Sequence, residues 1–221
     1  MGKQAFLFDM DGTLIDSMDY WNNLKHRVCD LYFKRTGVKI VLSENEQKTI
    51  ETLSTKRAIR YINENHRAAV DFDLDCAVDI ARFYETECKL KPNVLDPLEL
   101  LKSKGARMAV CTATPKALAE KALRAMGIRD YFKFVITPEQ VKGGKFHKPI
   151  FYVSAFLLRC RIKNLVLIDD APYALSTAER TGCKTVAMHD EYRKEKITNE
   201  GTIRCENFSE LYEYIKANGG I

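Results

Sequence analysis

The chain has 221 residues, 46% hydrophobic and 29% charged, a balance ordinary for a soluble globular protein and unlike a disordered or fibrous one. That length suits one large domain or a domain carrying a smaller insert, and folding at this size buries roughly 70% of the unfolded chain's surface. The net charge of +5 is spread along the sequence; it fits either a mild field that draws in anions or a plain solvated surface.

Ala5–Phe8 is a short apolar run and reads as a buried strand. From about residue 16 to 91 the periodicity is helical and no convincing strand occurs. Trp21, Leu24, Val28, Leu31 and Tyr32 recur at helical spacing, as do Ile59 and Ile62, then Ile80, Phe83 and Tyr84. A four-helix block inserted after the first strand fits this pattern. Lys91-Pro92-Asn93 suits the return hinge, because a residue before proline resists helix. Farther on, Arg107–Cys111 and the runs 134–136, 165–168 and 185–188 read as strands. Helical segments fall between them at about 115–127, 149–160 and 171–182. Pro115 suits a first helical turn, and Gly127 and Gly182 suit C′ positions. Strands alternating with helices imply right-handed βαβ units, hence an α/β fold with a parallel sheet and helices on both faces. The expected organisation is a sheet domain from 1–15 and 92–221, interrupted by an all-helical cap at 16–91.

Seven cysteines stand at 29, 76, 88, 111, 160, 183 and 205, an odd number without a CxxC pair. They imply a reducing compartment with neither a disulfide framework nor a zinc site. The histidines at 26, 66, 147 and 189 are dispersed. Asp9 and Asp11 interrupt the first apolar run at once, so no signal-peptide h-region exists. No run approaches the roughly 20 apolar residues of a membrane span. A cytoplasmic protein with no membrane partner is expected. The basic stretches 142–148 and 159–163 lack aromatic interleaving, so no nucleic-acid partner is expected either.

In open parallel sheets ligands sit outside the carboxyl ends of the strands. There, the first strand is followed by Asp9-Met10-Asp11-Gly12-Thr13, the 107–111 strand by Thr112, and the 165–168 strand by Asp169-Asp170. A lysine-bearing loop, 142–148, precedes a helix. Strand-end aspartates often merely cap turns. Asp-x-Asp at one strand end and Asp-Asp at another jointly favour function. Four converging carboxylates repel unless neutralised, and a hard divalent cation such as Mg2+ is the simplest solution.

Phe8-Asp9-Met10-Asp11-Gly12-Thr13-Leu14-Ile15-Asp16-Ser17 closely resembles the first signature of the haloacid dehalogenase-like hydrolases. Later elements match in order, and the helical insert resembles the family's first type of cap on a Rossmann-like core. The resemblance implies that Asp9 attacks phosphorus to form an aspartyl-phosphate. Asp11 would protonate the leaving oxygen and then activate water. Gly12 would permit the tight turn between them. In Val110-Cys111-Thr112-Ala113-Thr114, Thr112 matches the hydroxyl that binds a phosphoryl oxygen, with Ala113 beside it; Thr114 reads as a cap of the next helix. The charge-offsetting lysine has two candidates. Counting back from Ile150-Phe151 gives Lys145, whereas the Lys-Pro pair gives Lys148; helix register favours Lys145. Asp170 aligns as a direct Mg2+ ligand, with Asp169 as a second ligand or one acting through water. Asp9 and the backbone carbonyl of Asp11 would complete the protein's share.

The family's cap closes over the sheet edge and selects substrate. Leu53-Ser54-Thr55-Lys56-Arg57 lies where related enzymes place their selecting loop, so Lys56 and Arg57 are candidates for a leaving-group contact; solvated charges at a helix start explain them equally well. Sugar phosphate mutases of the family share Asp16-Ser17-Met18-Asp19-Tyr20 but follow it with a histidine. Trp21 stands in that place here and cannot shuttle a proton. The expectation is a magnesium-dependent phosphatase of a small phosphorylated metabolite, monomeric or weakly dimeric. A mutase or a non-catalytic metabolite sensor are the alternatives.

Overall fold

The computed structural model describes residues 4–51, 53, 55–192 and 202–220. In chain order, β1 (Ala5–Phe8) and β2 (Ile15–Asp16) precede α1 (Met18–Thr36), α2 (Glu44–Glu51), α3 (Thr55–His66) and α4 (Phe72–Arg82). A π-helical turn, Phe83–Glu87, leads to β3 (Lys89–Leu90), α5 (Leu95–Ser103), β4 (Arg107–Cys111), α6 (Lys116–Ala125) and β5 (Val135–Ile136). The chain continues through α7 (Pro149–Leu157), β6 (Leu165–Asp169), α8 (Pro172–Glu179), β7 (Lys184–Met188), β8 (Ile203–Cys205) and α9 (Phe208–Asn218).

Every residue of β1 is buried, as an apolar run with no polar face requires. Among the described residues, β1 lies inside a six-stranded sheet of order β5-β4-β1-β6-β7-β8, parallel throughout. Strand period sorts its side chains. Ala5 and Leu7, with Leu165 and Leu167 of β6, pack against Phe151 of α7 and Leu175 of α8. Phe6 and Phe8 take the other face, where the Phe8 ring meets Phe132 edge-on at 5.8 Å. Phe8 pairs with Val110 of β4 and with Ile168 of β6, so these three strands end level. The winding changes direction at β1, with β4 and β5 on one side and β6 to β8 on the other. That is the switch point where such sheets leave room for a ligand.

The α/β class, the parallel sheet and its central strands follow the sequence pattern; several shorter elements do not. Within the stretch read as strand-free, β2 and β3 form an antiparallel ribbon, Ile15 opposite Leu90 and Asp16 opposite Lys89. Two-residue strands are too short to show a period of two. The proline bias placed the return at 91–93, but the chain divides into compact units Met1–Asp16 with Cys88–Ile221 and Ser17–Glu87. The ribbon explains the earlier return, because β3 is already paired in the first unit. Lys91 fixes the strand beyond it: its amide donates to Leu14 O at 3.0 Å, and its ammonium lies 2.8 Å from Asp190 and 3.5 Å from Asp16. Pro115 is the N-cap residue of α6 rather than part of its first turn.

In the unit Ser17–Glu87, α1 turns Leu24, Val28 and Leu31 inward. Tyr20 stacks on Phe83 at 3.9 Å, and its hydroxyl donates to Asp79 at 2.9 Å. Arg35 of α1 grips Asp75 of α4 with two N–H donors, at 2.5 and 3.1 Å. Burial works against the Asp75 carboxylate, but Arg35 and the Asp71 amide prevail and hold its pKa below the ordinary range. A depressed folded pKa means that this stabilisation is complete above the unfolded value of about 4 and is lost as pH falls through the folded one. In urea at neutral pH, Asp75→Ala is expected to cost about 2 kcal/mol. The gap from wild type should close in acid; a gap independent of pH would contradict the ion-pair account.

Candidate active site

Met10 and Leu14 are fully buried, and this anchors the turn after β1 from below. Asp9 is buried beside Met10, and Asp11 is half-buried in the turn. Gly12 takes φ 83°, a left-handed conformation that costs a side-chain-bearing residue, and its amide donates to Ile15 O at 3.0 Å. The Ile15 amide donates back to Met10 O at 3.0 Å, closing the turn.

Asp9 extends β1 by one residue, its amide donating to Ile168 O at 2.8 Å. The level strand ends therefore bring it beside Asp169, the last residue of β6. Asp9, Asp169 and Asp170 are all buried, and each offers one carboxylate oxygen to a cluster lying within 4.8 Å. A set of three hard oxygen donors at that spacing fits a divalent cation with oxygen preference. Lys145, also buried, places its ammonium 2.6 Å from Asp9 Oδ1 and 2.7 Å from Asp169 Oδ2. The second Asp169 oxygen accepts from the Ala171 amide at 2.8 Å. Both oxygens of Asp169 are thus engaged within the protein, which suits it to holding the lysine. Asp170 Oδ1 accepts from the Thr13 hydroxyl at 3.2 Å.

The electrostatics of this cluster follow from its burial. Desolvation pushes the Asp9 carboxyl well above the ordinary carboxylate range; Lys145 opposes this, while Asp169 and Asp170 add to it. Asp169 is raised by the same desolvation, again opposed by Lys145. Burial disfavours the charged form of Lys145, yet Asp169 and Asp9 hold its pKa well above the usual lysine value. Among the described residues Lys145 is the ammonium paired with this cluster of three carboxylates, and burial still disfavours their charged forms. Cys111, next to this cluster, is buried, and burial pushes its thiol pKa up.

The remaining expected residues divide. Thr112, buried at the end of β4, lies 3.4 Å from Asp11 Oδ2 through its hydroxyl, and Ala113 beside it is exposed. Lys148 is exposed at the start of α7, three residues beyond the buried Lys145. Of the two lysines, Lys145 is the one whose ammonium pairs with Asp9 and Asp169. Lys56 and Arg57 belong to the first turn of α3 rather than to a loop, and both are exposed in the unit Ser17–Glu87. The Lys56 ammonium lies over the Phe72 ring at 5.4 Å. Ser54, from the same segment, lies outside the described residues.

Two further hydroxyls, those of Thr114 and Thr13, reach the carboxylates. Thr114 does not cap α6: its hydroxyl donates to Asp11 Oδ2 at 2.7 Å, and its amide donates to the Thr112 hydroxyl at 3.1 Å. The spacing Thr-x-Thr in an extended segment was the available signal, since it sets both hydroxyls on one side. Thr13, the other, would have been found by asking what faces Asp170.

A family model described as haloacid dehalogenase-like hydrolase matches residues 6–188. The phosphorylated carbohydrates phosphatase of Thermotoga maritima is 25% identical over 218 residues, covering 96% of this chain and 98% of that protein. The phosphoglycolate phosphatase of Rhodobacter capsulatus is 26% identical over 195 residues, 86% of each. The crystal structure of CbbY from Rhodobacter sphaeroides in complex with phosphate has the same fold, with a TM-score of 0.72 at 23% identity, covering 95% of this chain and 96% of that one.

Removing one partner of a buried ion cluster leaves the others uncompensated. Lys145→Met is therefore expected to lower unfolding stability by about 3 kcal/mol in chelator, whereas exposed Lys148→Met should change it by under about 0.5 kcal/mol. Denaturant titration of both variants checks this. Equal effects would contradict the assignment of Lys145 to the cluster.

Proposed function

We propose that this phosphatase-type hydrolase, which belongs to the haloacid dehalogenase-like hydrolase family, releases phosphate from a small phosphorylated metabolite by way of an aspartyl-phosphate on Asp9. The unit containing the parallel sheet is the catalytic core, and Ser17–Glu87 is its helical cap. The observation carrying this reading is the buried cluster of Asp9, Asp169 and Asp170 with Lys145 against it, at the ends of adjacent parallel strands.

In the first step a carboxylate oxygen of Asp9 forms a bond to phosphorus as the ester P–O bond breaks. The departing oxygen takes a proton from Asp11, which leaves Asp11 as a carboxylate. In the second step that carboxylate takes a proton from water as the water oxygen bonds to phosphorus. The acyl P–O bond to Asp9 breaks, and phosphate and the starting carboxylate are restored. Lys145 holds Asp9 in place and offsets negative charge at the transferring group. Thr112 and the backbone at Ala113 receive phosphoryl oxygens. Asp9, Asp170 and the Asp11 carbonyl would hold Mg2+, with Asp169 supporting through Lys145; when bound, the ion supplies neutralising charge to the phosphoryl oxygens.

Thr114 and Thr112 converge on one oxygen of Asp11, and this fixes the acid/base carboxyl relative to Asp9. Lys56 and Arg57 are the cap's candidates for contacting an anionic or hydroxyl-rich leaving group. Relatives named for phosphorylated carbohydrates and for phosphoglycolate support a small polar substrate. Hydrolysis is favoured over the mutase reaction by Trp21, which packs among Tyr20 and Tyr84 at ring distances of 5.7 and 6.4 Å and has no proton to exchange near neutral pH.

A panel of phosphorylated sugars, nucleotides and small acids tests the reading. Phosphate release should require Mg2+, stop in chelator and vanish in Asp9→Asn. Turnover of no ester, or undiminished turnover by Asp9→Asn, would refute it. Thr114→Val removes the 2.7 Å hydrogen bond with little change of volume. It should lower kcat about tenfold to a hundredfold with KM little changed, and Thr114→Ser should restore most of the loss. A pure KM effect would place Thr114 in substrate binding instead.

A further inference from the structure

α7 departs from the rule that a surface helix is polar on its outer side. Its sequence, PIFYVSAFL, contains no charged residue. Ile150, Phe151, Ser154 and Ala155 face the core, while Tyr152, Val153, Phe156 and Leu157 are 48, 37, 80 and 49% exposed. These four recur as i, i+1, i+4 and i+5 and form one ridge. Phe146, 65% exposed and stacked on Tyr173 at 4.0 Å, stands just before the helix.

The ridge is framed by cations. Between Val141 and Ile168 the sequence has no Asp or Glu and six Lys or Arg. Lys145 belongs to the site; Lys142 and Lys148 are exposed ahead of the helix, and Arg159, Arg161 and Lys163 beyond it. Exposed Arg180 and Lys184 follow α8, which packs on the same sheet face. Glu179 of α8 already accepts from the Thr185 and Thr202 hydroxyls. An apolar ridge with basic residues at both ends matches the chemistry of a segment seated at an acidic lipid surface.

We propose that the α7 face attaches this protein peripherally to an anionic lipid bilayer, with Phe156 and Leu157 entering the interface and the flanking Lys and Arg meeting acidic headgroups. Among the described residues no helix is long and apolar enough to cross a membrane, so attachment is at the surface. A second copy fits less well: two α7 ridges crossing antiparallel about a two-fold axis would set Lys148 against Arg159 and Arg161, like charge on like. Nucleic acid fits less well too, because aliphatic Val153 and Leu157 interrupt the exposed rings of Tyr152 and Phe156 with surface on which no base stacks. The proposal is independent of the phosphatase reading.

The test is cosedimentation with phosphatidylcholine vesicles, with and without about one-third phosphatidylserine, at low and high salt. The wild-type chain should partition only onto the acidic vesicles and leave them as salt rises. Phe156→Ser with Leu157→Ser should weaken partitioning more than about tenfold, and Arg161→Glu with Lys163→Glu at least about tenfold. Turnover of a soluble phosphate ester, or an unchanged unfolding transition where no ester is turned over, shows that the variants are folded. No partitioning by wild type, equal partitioning onto neutral vesicles, or undiminished partitioning by folded variants would overturn the proposal. So would a dimer in sedimentation velocity that Phe156→Ser with Leu157→Ser disperses, or tighter binding to a single-stranded oligonucleotide than to acidic vesicles.

Discussion

The buried ammonium of Lys145, between Asp9 and Asp169, holds the cluster together. Three carboxylates within 4.8 Å, all removed from water, would otherwise repel one another and protonate. Lys145 offsets part of this cost, but desolvation by burial outweighs it with the neighbouring carboxylates adding to it, and this is why Asp9 and Asp169 remain raised. The residual deficit makes the pocket receptive to a further cation.

Backbone order makes the cluster possible. β1 sits between β4 and β6 in level register, so the residues just past three strand ends meet without any long side chain having to reach. Lys145 is the exception: it comes from the loop before α7 and crosses to the β1–β6 seam. Placement of the acids by short side chains on rigid strands gives precision, and the longer lysine supplies charge. Asp11 lies in the turn beyond the strand and takes its position from the hydroxyls of Thr114 and Thr112.

The sequence was legible where chemistry and periodicity coincide. β1 and β4 are readable because full burial leaves apolar runs, and the aspartates after them stand out against those runs. β2, β3 and β8 were not readable, since two or three residues carry no period and β8 alternates at an edge. The choice between Lys145 and Lys148 stayed open because spacing cannot show burial; in the structure one is enclosed and the other solvated. Thr114 reads as a helix cap because a threonine before a helix usually is one. Its true partner, Asp11, is remote in sequence and visible only once β1 and β4 are paired. The basic stretches 142–148 and 159–163 hold one aromatic residue between them, Phe146, yet folding adds Tyr152 and Phe156 to the surface between them.

The central claim is covalent: phosphorus passes through the carboxylate of Asp9. Quenching the enzyme during turnover with borohydride reduces an acyl phosphate to an alcohol, and peptide mapping by mass spectrometry then locates it. Homoserine in place of Asp9 is the expected result. Homoserine at any other aspartate, or none at all while phosphate is still being released, would contradict it.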